Sequence, residues 1–462
     1  MELDVYLDHP GMYLDSERPI GRLSRGSTRA LTFKYDPEYV GWDGARPLSL
    51  SLPLRQQFYD DPFCRPFFEN ILPEGNRRID LFDRHRLAVD DVAGLLAVIG
   101  RDCPGAISVV PAGERPTKVP GDIRTDYRPI FPEQLAEDVE ALIRGRIPRT
   151  PVRFSLAGVQ SKLAVTVDPD HTDRFLEAAT ERHVPSTHLL KVANRDLPSL
   201  VENEYLCMKT AAGLGFEVAE VQLRSIGGRS ALLVNRFDRL VVERRQVLRL
   251  HQEDGCQALG ILSANKYQTG PSPSDPDQPD ELGLPLNTPS WRSLAELAPD
   301  TDVPAQTRGF FVRTAALNFL LGNDDGHSKN LSFLHDRPRP RPAPLYDLVC
   351  TARYPEYADA ELGLWIGSAR RPREVTARAF QELLRQAQLP TRVAVRWVER
   401  ELKLLVERIL ETFHRVLLQS GILGVTALPV RDAIADRVNH LAAAFGWNIP
   451  VTTRPLGLPR RT

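Results

Sequence analysis

Sulfur is scarce in this sequence. Five cysteines (Cys64, Cys103, Cys207, Cys256 and Cys350) are scattered over 462 residues, odd in number and without a C-x-x-C pair. That spacing excludes a disulfide framework and a thiolate zinc site, and suits a reducing cytoplasm. Net charge is nearly absent as well: 59 Lys and Arg against 60 Asp and Glu leave −1. No global field therefore argues for non-specific binding to nucleic acid or to a membrane. Nor do about 18 apolar residues run together anywhere, so no membrane span is expected. The opening Met1-Glu2-Leu3-Asp4 is acidic where a signal peptide is basic. A cytoplasmic protein is the expectation.

What is present is ordinary for a folded chain, with 42% hydrophobic and 26% charged residues. The length suggests two or three cooperating units. Among the basic residues only eight are lysine, at 34, 118, 162, 191, 209, 266, 329 and 403. Where arginine dominates so heavily, a lysine inside a motif hints at a site needing a compact ammonium.

Residues 1–115 read as a β-rich unit. Leu3–Leu7, Ala30–Tyr35 and Leu48–Leu52 alternate like half-buried strands. Pro66–Gly75 reads as an aromatic turn around a short helix, Asp90–Ile99 as a helix, and Gly105–Val110 as strand. Residues 116–150 hold a connecting helix from Pro132 to Arg146 and a proline-marked break. A second unit spans 151–425, strand-rich to about residue 250 and helical after 291. Between those parts, 268–290 carries six prolines and no apolar period, which predicts a mobile loop or insertion. Residues 426–462 carry no motif that can be placed and are set apart as a tail.

Chemistry concentrates in Gly322-Asn323-Asp324-Asp325-Gly326-His327-Ser328-Lys329-Asn330. An apolar helical segment, Phe310–Leu321, precedes it, with Gly322-Asn323 as the stop. Asp325 and Asn330 stand five apart, the spacing of the kinase loop H-R-D-x-x-x-x-N, in which the aspartate orients the attacking hydroxyl and the asparagine holds Mg²⁺. Asp347, expected at the end of a paired strand, supplies the second hard oxygen ligand such a site needs. Lys329 could add positive charge near a transferring phosphoryl group. The bland alternative is a polar loop whose side chains satisfy turn backbone.

A kinase also needs a strand lysine and a helix glutamate. Lys191 lies in the apolar run Thr187–Ala193, and Ser199-Leu200-Val201-Glu202 has capping-box form at the head of a helix. Glu204 lies about 70° from the apolar stripe Val201, Tyr205, Met208, Ala212, slightly nearer than Glu202, and is the choice to pair with Lys191. Alternatively, Lys191 snorkels from its strand. The Gly158 turn within Phe154–Val165 could cover phosphates, or be a plain hairpin. Ala231–Asp238, holding Val234, Arg236 and Phe237, suits a hinge whose backbone meets adenine, or is an ordinary strand end. The order of these six signals is that of a kinase.

These stretches, with Arg46–Leu54, Phe67–Gly75, Glu202–Tyr205, Arg236–Arg239, His251–Gln257 and Leu345–Asp347, resemble the HipA-like serine/threonine kinases, toxins of bacterial toxin–antitoxin pairs. The resemblance covers most of the chain. It implies an α+β fold: a two-lobed, protein-kinase-like architecture with an N-terminal β-rich subdomain and a largely helical C-terminal lobe. It implies Lys191 as the ATP phosphate lysine, Asp325 as the catalytic aspartate, and Asn330 with Asp347 as Mg²⁺ ligands. Ser155 matches the family's autophosphorylated serine, whose modification switches the kinase off. Implied partners are a protein substrate, an aminoacyl-tRNA synthetase being the family's known target, and a small helix-turn-helix antitoxin that brings DNA only indirectly. The 268–290 segment looks longer than the family pattern. Two other readings stay open: a small-molecule phosphotransferase, and a nucleotide-binding co-repressor acting with an antitoxin.

Overall fold

The computed structural model describes residues 1–8, 18–146, 148–149, 161–179, 183–193, 197–269, 288–357 and 360–449. Ser155, Gly158 and, of 268–290, residues 270–287 lie outside the described residues. The chain divides into two compact units, one of Met1–Asn194, Arg224–Lys266 and Ser332–Ala343, the other of Arg195–Leu223, Tyr267–Leu331 and Pro344–Thr462.

The first unit opens on an antiparallel sheet in the order Leu31–Tyr35, Gly21–Arg25, Glu2–Leu7, Ile107–Pro111. The alternation in Glu2–Leu7 predicts one solvated face, yet residues 3–7 are all buried. Asp4 is tolerated there because Arg22 and the Gly113 N–H both bond its carboxylate. Helix Val92–Ile99 starts where the Asp91 side chain accepts from the Gly94 N–H. The short helix expected at Pro66–Gly75 is the second half of a longer one, Asp61–Asn70, with Pro66 inside it; a turn follows, and then helix Gly75–Arg84. Leu48–Leu52 is not a strand despite its period of two. It folds into a turn with a single Ser49–Leu52 bridge, because the buried Glu253 carboxylate draws in both the Ser49 hydroxyl and the Leu50 N–H.

A six-stranded sheet, in the same unit but for the first half of its first strand, runs Val221–Ile226, Arg229–Asn235, His188–Val192, Lys162–Val167, Phe175–Ala178, Tyr127–Pro129. Helix Pro132–Ile143, expected only to connect, lays Leu135 and Val139 on Leu163, Val165, Leu190, Val192, Ala231 and Leu233. Since Leu190 and Val192 face that core, the strand period turns Lys191 to the opposite side. Another of the few lysines, Lys118, is structural. Its buried ammonium donates to the Cys103 and Ile107 carbonyls at 2.6 and 2.7 Å and reaches the Gly105 carbonyl at 3.4 Å. Lys118→Met orphans these acceptors and is expected to cost about 3 kcal/mol, read as a lower urea midpoint at unchanged m.

The second unit is helical. Lys403–Ser420 packs on Leu200–Gly213 and on Gly424–Phe445, which in turn packs on Pro304–Leu321. The segment after 425 is thus no loose tail as far as residue 445: Ala427, Val430, Ile434, Val438 and Leu441 are buried at helical spacing. The capping box expected at Ser199 does not form, since Ser199 adopts φ 59° and its side chain makes no cap bond. The expected apolar stripe is also displaced: Ala212 is exposed, while Asn203, Leu206 and Cys207 are buried.

Candidate active site

The loop that carries the chemistry begins where helix Pro304–Leu321 ends. Gly322 takes φ 67°, which a residue without Cβ adopts at no steric cost, and its N–H returns to Asn318 and Phe319. The polypeptide that follows is buried from Asn323 to Lys329 with one exception, Asp325, which is exposed. Its own carbonyl anchors it, accepting from the His327 N–H at 2.8 Å and from Asn330 Nδ2 at 3.3 Å. Its carboxylate accepts from the Tyr267 hydroxyl at 2.7 Å. A carboxylate presented alone on a tied-down loop can take a proton from an incoming hydroxyl.

Asn330 closes the turn Ser328–Asn330. Its amide nitrogen is committed to the Asp325 carbonyl, which leaves Oδ1 as the donor for a hard cation. Lys329, beside it, is buried. Asp347 is half-buried and not at the end of a strand: Leu345 makes only an isolated parallel bridge to Val218, and Asp347 itself takes φ 59°. Two ties hold its segment to the loop. The Tyr346 hydroxyl donates to the Lys329 carbonyl at 2.7 Å, joining the residue before Asp347 to the residue before Asn330. Four residues on, the Thr351 hydroxyl bonds the Gly322 carbonyl at 3.2 Å and receives the Asp324 N–H at 3.0 Å.

Three residues that sequence reasoning missed hold this arrangement. Tyr346 is one. Asn203, fully buried, clamps the Cys350 backbone with both halves of its amide, Nδ2 to the carbonyl and Oδ1 from the N–H, each at 3.0 Å. Arg437, from the helix set aside as tail, bonds the buried Asp324 carboxylate at 2.7 Å and lies 5.0 Å over the Phe319 ring. Asp324, next to Asp325, is so enclosed that burial pushes its carboxyl up to about 6 against the pull of Arg437. The folded state therefore takes a proton there that the unfolded chain, near 3.8, does not yet hold. That contribution is fully present below the unfolded value and is lost as pH rises through about 6. Unfolding midpoints measured from pH 4 to 7 should fall for the wild type relative to Asp324→Asn.

The oxygen-only donors Asn330 and Asp347 suit Mg²⁺, which keeps few protein ligands and completes its shell with phosphate and water. Among the described residues no group of three or more His, Cys, Asp or Glu gathers as a metal site, so a cage for a transition metal is not offered.

In the first unit, Lys191 is buried on strand His188–Val192, opposite Leu232 on one neighbour and Lys162 on the other. The register thus sets two like charges directly across a ladder. Val234 is buried in the adjacent strand, opposite Leu189, and Phe237 is half-buried. The Arg236 guanidinium is taken by Asp238, at 3.0 and 2.8 Å. Burial opposes ionisation of Asp238, but Arg236 and Arg239 outweigh it and hold the carboxyl far below its usual range. What this segment can offer a ligand is main chain and the Phe237 ring. Glu204, on helix Leu200–Gly213 of the second unit, is buried where Glu202 is only half-buried.

Comparison with known proteins places this fold. Residues 154–415 match the HipA-like C-terminal domain and 12–110 the HipA N-terminal domain. A putative kinase of Sinorhizobium fredii, Y4mE, is 30% identical over 92% of this chain and 94% of its own. The serine/threonine-protein kinase toxin HipA of Shewanella oneidensis is 31% identical over 78% of each chain. The solved complex of Shewanella oneidensis HipA, HipB and operator DNA contains a chain that superposes with a TM-score of 0.76 at 27% identity, covering 96% of this chain and 97% of that one. Sheet-rich N-terminal and helical C-terminal regions thus follow the architecture of the HipA-type toxin kinases. The chain belongs to the HipA family.

Proposed function

We propose that the protein is an ATP- and Mg²⁺-dependent serine/threonine kinase that phosphorylates a protein, an aminoacyl-tRNA synthetase in keeping with the family, to halt growth. The observation that carries this reading is the exposed Asp325 carboxylate on a loop whose Asn330 amide is oriented by the Asp325 carbonyl. Asp325 accepts the proton of the attacking seryl hydroxyl. Asn330 Oδ1 and the Asp347 carboxylate hold Mg²⁺, which when bound neutralises charge on the phosphates. Lys191, with Lys162 beside it and Glu204 as its assigned partner, binds the triphosphate, and the strand end with Val234, Arg236 and Phe237 receives the base through its main chain. Lys329 supports the transferring group, and Gly158 is assigned to cover it. Autophosphorylation at Ser155 adds about −1.5 to −2 of charge, which keeps that segment from returning to a phosphate-facing pocket and switches the enzyme off. A small helix-turn-helix antitoxin is the expected partner and brings DNA with it, in keeping with the Shewanella complex of HipA, HipB and operator DNA. No described helix is long and apolar enough to cross a membrane, in keeping with work in the cytoplasm.

The test is incubation of the purified protein with Mg²⁺ and γ-labelled ATP, offering a protein extract in one arm and small alcohols and sugars in another. Label should enter protein, as phosphoserine. Label in the small molecules alone would establish the small-molecule phosphotransferase instead. Nucleotide binding without transfer would leave the co-repressor.

A further inference from the structure

Tyr267 is not a casual neighbour of Asp325. Its hydroxyl lies 2.7 Å from Asp325 Oδ1, and its ring stands edge-on to His327 with centroids 5.0 Å apart. The next residue, Gln268, is buried and held twice: its N–H donates to the Gly363 carbonyl at 2.9 Å, and its Oε1 accepts from the Trp365 N–H at 2.9 Å. Gly363 in turn donates its N–H to the Asp324 carbonyl at 2.7 Å. It lies so close to the loop that a Cβ there would sit 2.8 Å from the Gly326 carbonyl carbon. Asp325, Tyr267, Gln268, Gly363 and Asp324 thus form a closed ring of contacts whose last link is the phenol. A hydroxyl donating to this carboxylate at hydrogen-bond distance stands where an acceptor alcohol has to stand to give up its proton.

We propose that Tyr267 holds the acceptor's place on Asp325 and sets which hydroxyl takes it. A seryl or threonyl hydroxyl carried on a polypeptide has side-chain and backbone contacts with which to displace the phenol. Water and small alcohols have none and do not displace the phenol from Oδ1. Tyr267 is then a positioning and specificity residue that suppresses idle ATP hydrolysis. The inference rests on Asp325 having the role given above.

The experiment compares wild type, Tyr267→Phe and Asp325→Asn with Mg²⁺ and ATP. Phenylalanine keeps the ring against His327 and removes only the hydroxyl. Expected for Tyr267→Phe is ATP hydrolysis without protein acceptor raised at least fivefold. With dephosphorylated casein as acceptor, KM should fall at least threefold and kcat stay within twofold. Saturating casein should also speed nitration of wild-type Tyr267 by tetranitromethane, followed by peptide mass, at least threefold. Hydrolysis unchanged or reduced, a fall in kcat at constant KM, or nitration indifferent to casein overturns the proposal. Asp325→Asn separates the two claims: an inactive Asp325→Asn beside a Tyr267→Phe without effect removes the tyrosine's role alone. An active Asp325→Asn removes the assignment of the aspartate itself.

Discussion

Asp325→Asn should lower phosphoryl transfer about 10³-fold, the middle of the range for losing a positioned general base. Few single substitutions isolate a function so cleanly. The contacts that shape the loop go to the Asp325 main-chain carbonyl, from the His327 N–H and Asn330 Nδ2, and asparagine keeps them. The side chain is exposed, so no buried charge is created or removed. Only basicity changes, together with the charge that the Tyr267 hydroxyl meets. Thermal unfolding should therefore stay close to that of the wild type, within the roughly ±0.5 kcal/mol typical of surface changes. Nucleotide affinity should hold as well. Initial rates of labelled-phosphate transfer, measured beside a melting curve, check both. Undiminished transfer would return the loop to its bland reading as satisfied turn backbone.

The second large effect falls far along the sequence, at Arg437. Its guanidinium is the counter-ion of Asp324, whose carboxylate is almost wholly enclosed. Arg437→Met keeps the bulk over Phe319 and leaves that carboxylate unpaired, a loss of about 3 kcal/mol by analogy with other broken buried pairs. The loss should be smaller at pH 5, where Asp324 is already mostly protonated, than at pH 7.5, because burial places its carboxyl near 6. Phosphoryl transfer should fall too, since Asp324 is bonded through its N–H to Thr351 and sits one residue from Asp325. Urea midpoints at the two pH values are the check. A variant as stable as wild type at both would make Arg437 an ornament of the helix.

Where a local rule acts alone, the sequence was easy to read. The helix read at Asp90–Ile99 forms with Asp91 as its cap, Gly322 ends another in the left-handed conformation, and the apolar run around Lys191 is a strand. Legibility failed where distant groups decide. Leu48–Leu52 has a strand's period, but a carboxylate about 200 residues away folds it into a turn. Ser199 has a cap's identity, but its φ of 59° takes the hydroxyl out of reach of the helix N–H groups. Pro66 and Pro429, both inside helices, break the local signal without breaking the helix. In the last helix the spacing of Ala427, Val430, Ile434, Val438 and Leu441 was available, and would have found it. Of the candidate site, the loop that carries Asp325 and Asn330 stood out by their spacing. Asn203, Tyr346, Arg437 and Tyr267 were not, because each acts through a partner that only the folded chain brings near.

The central claim of the proposal is that Asn330 and Asp347, both of the helical unit, serve a single metal-bound triphosphate. Calorimetric titration of Mg²⁺ with a non-hydrolysable ATP analogue into wild type, Asn330→Ala, Asp347→Asn and the double variant tests it most directly. Each single change should weaken binding at least tenfold, and the double variant should bind more tightly than the product of the two losses allows, a coupling of at least about 0.5 kcal/mol. Losses that simply multiply, or binding indifferent to either residue, would contradict it.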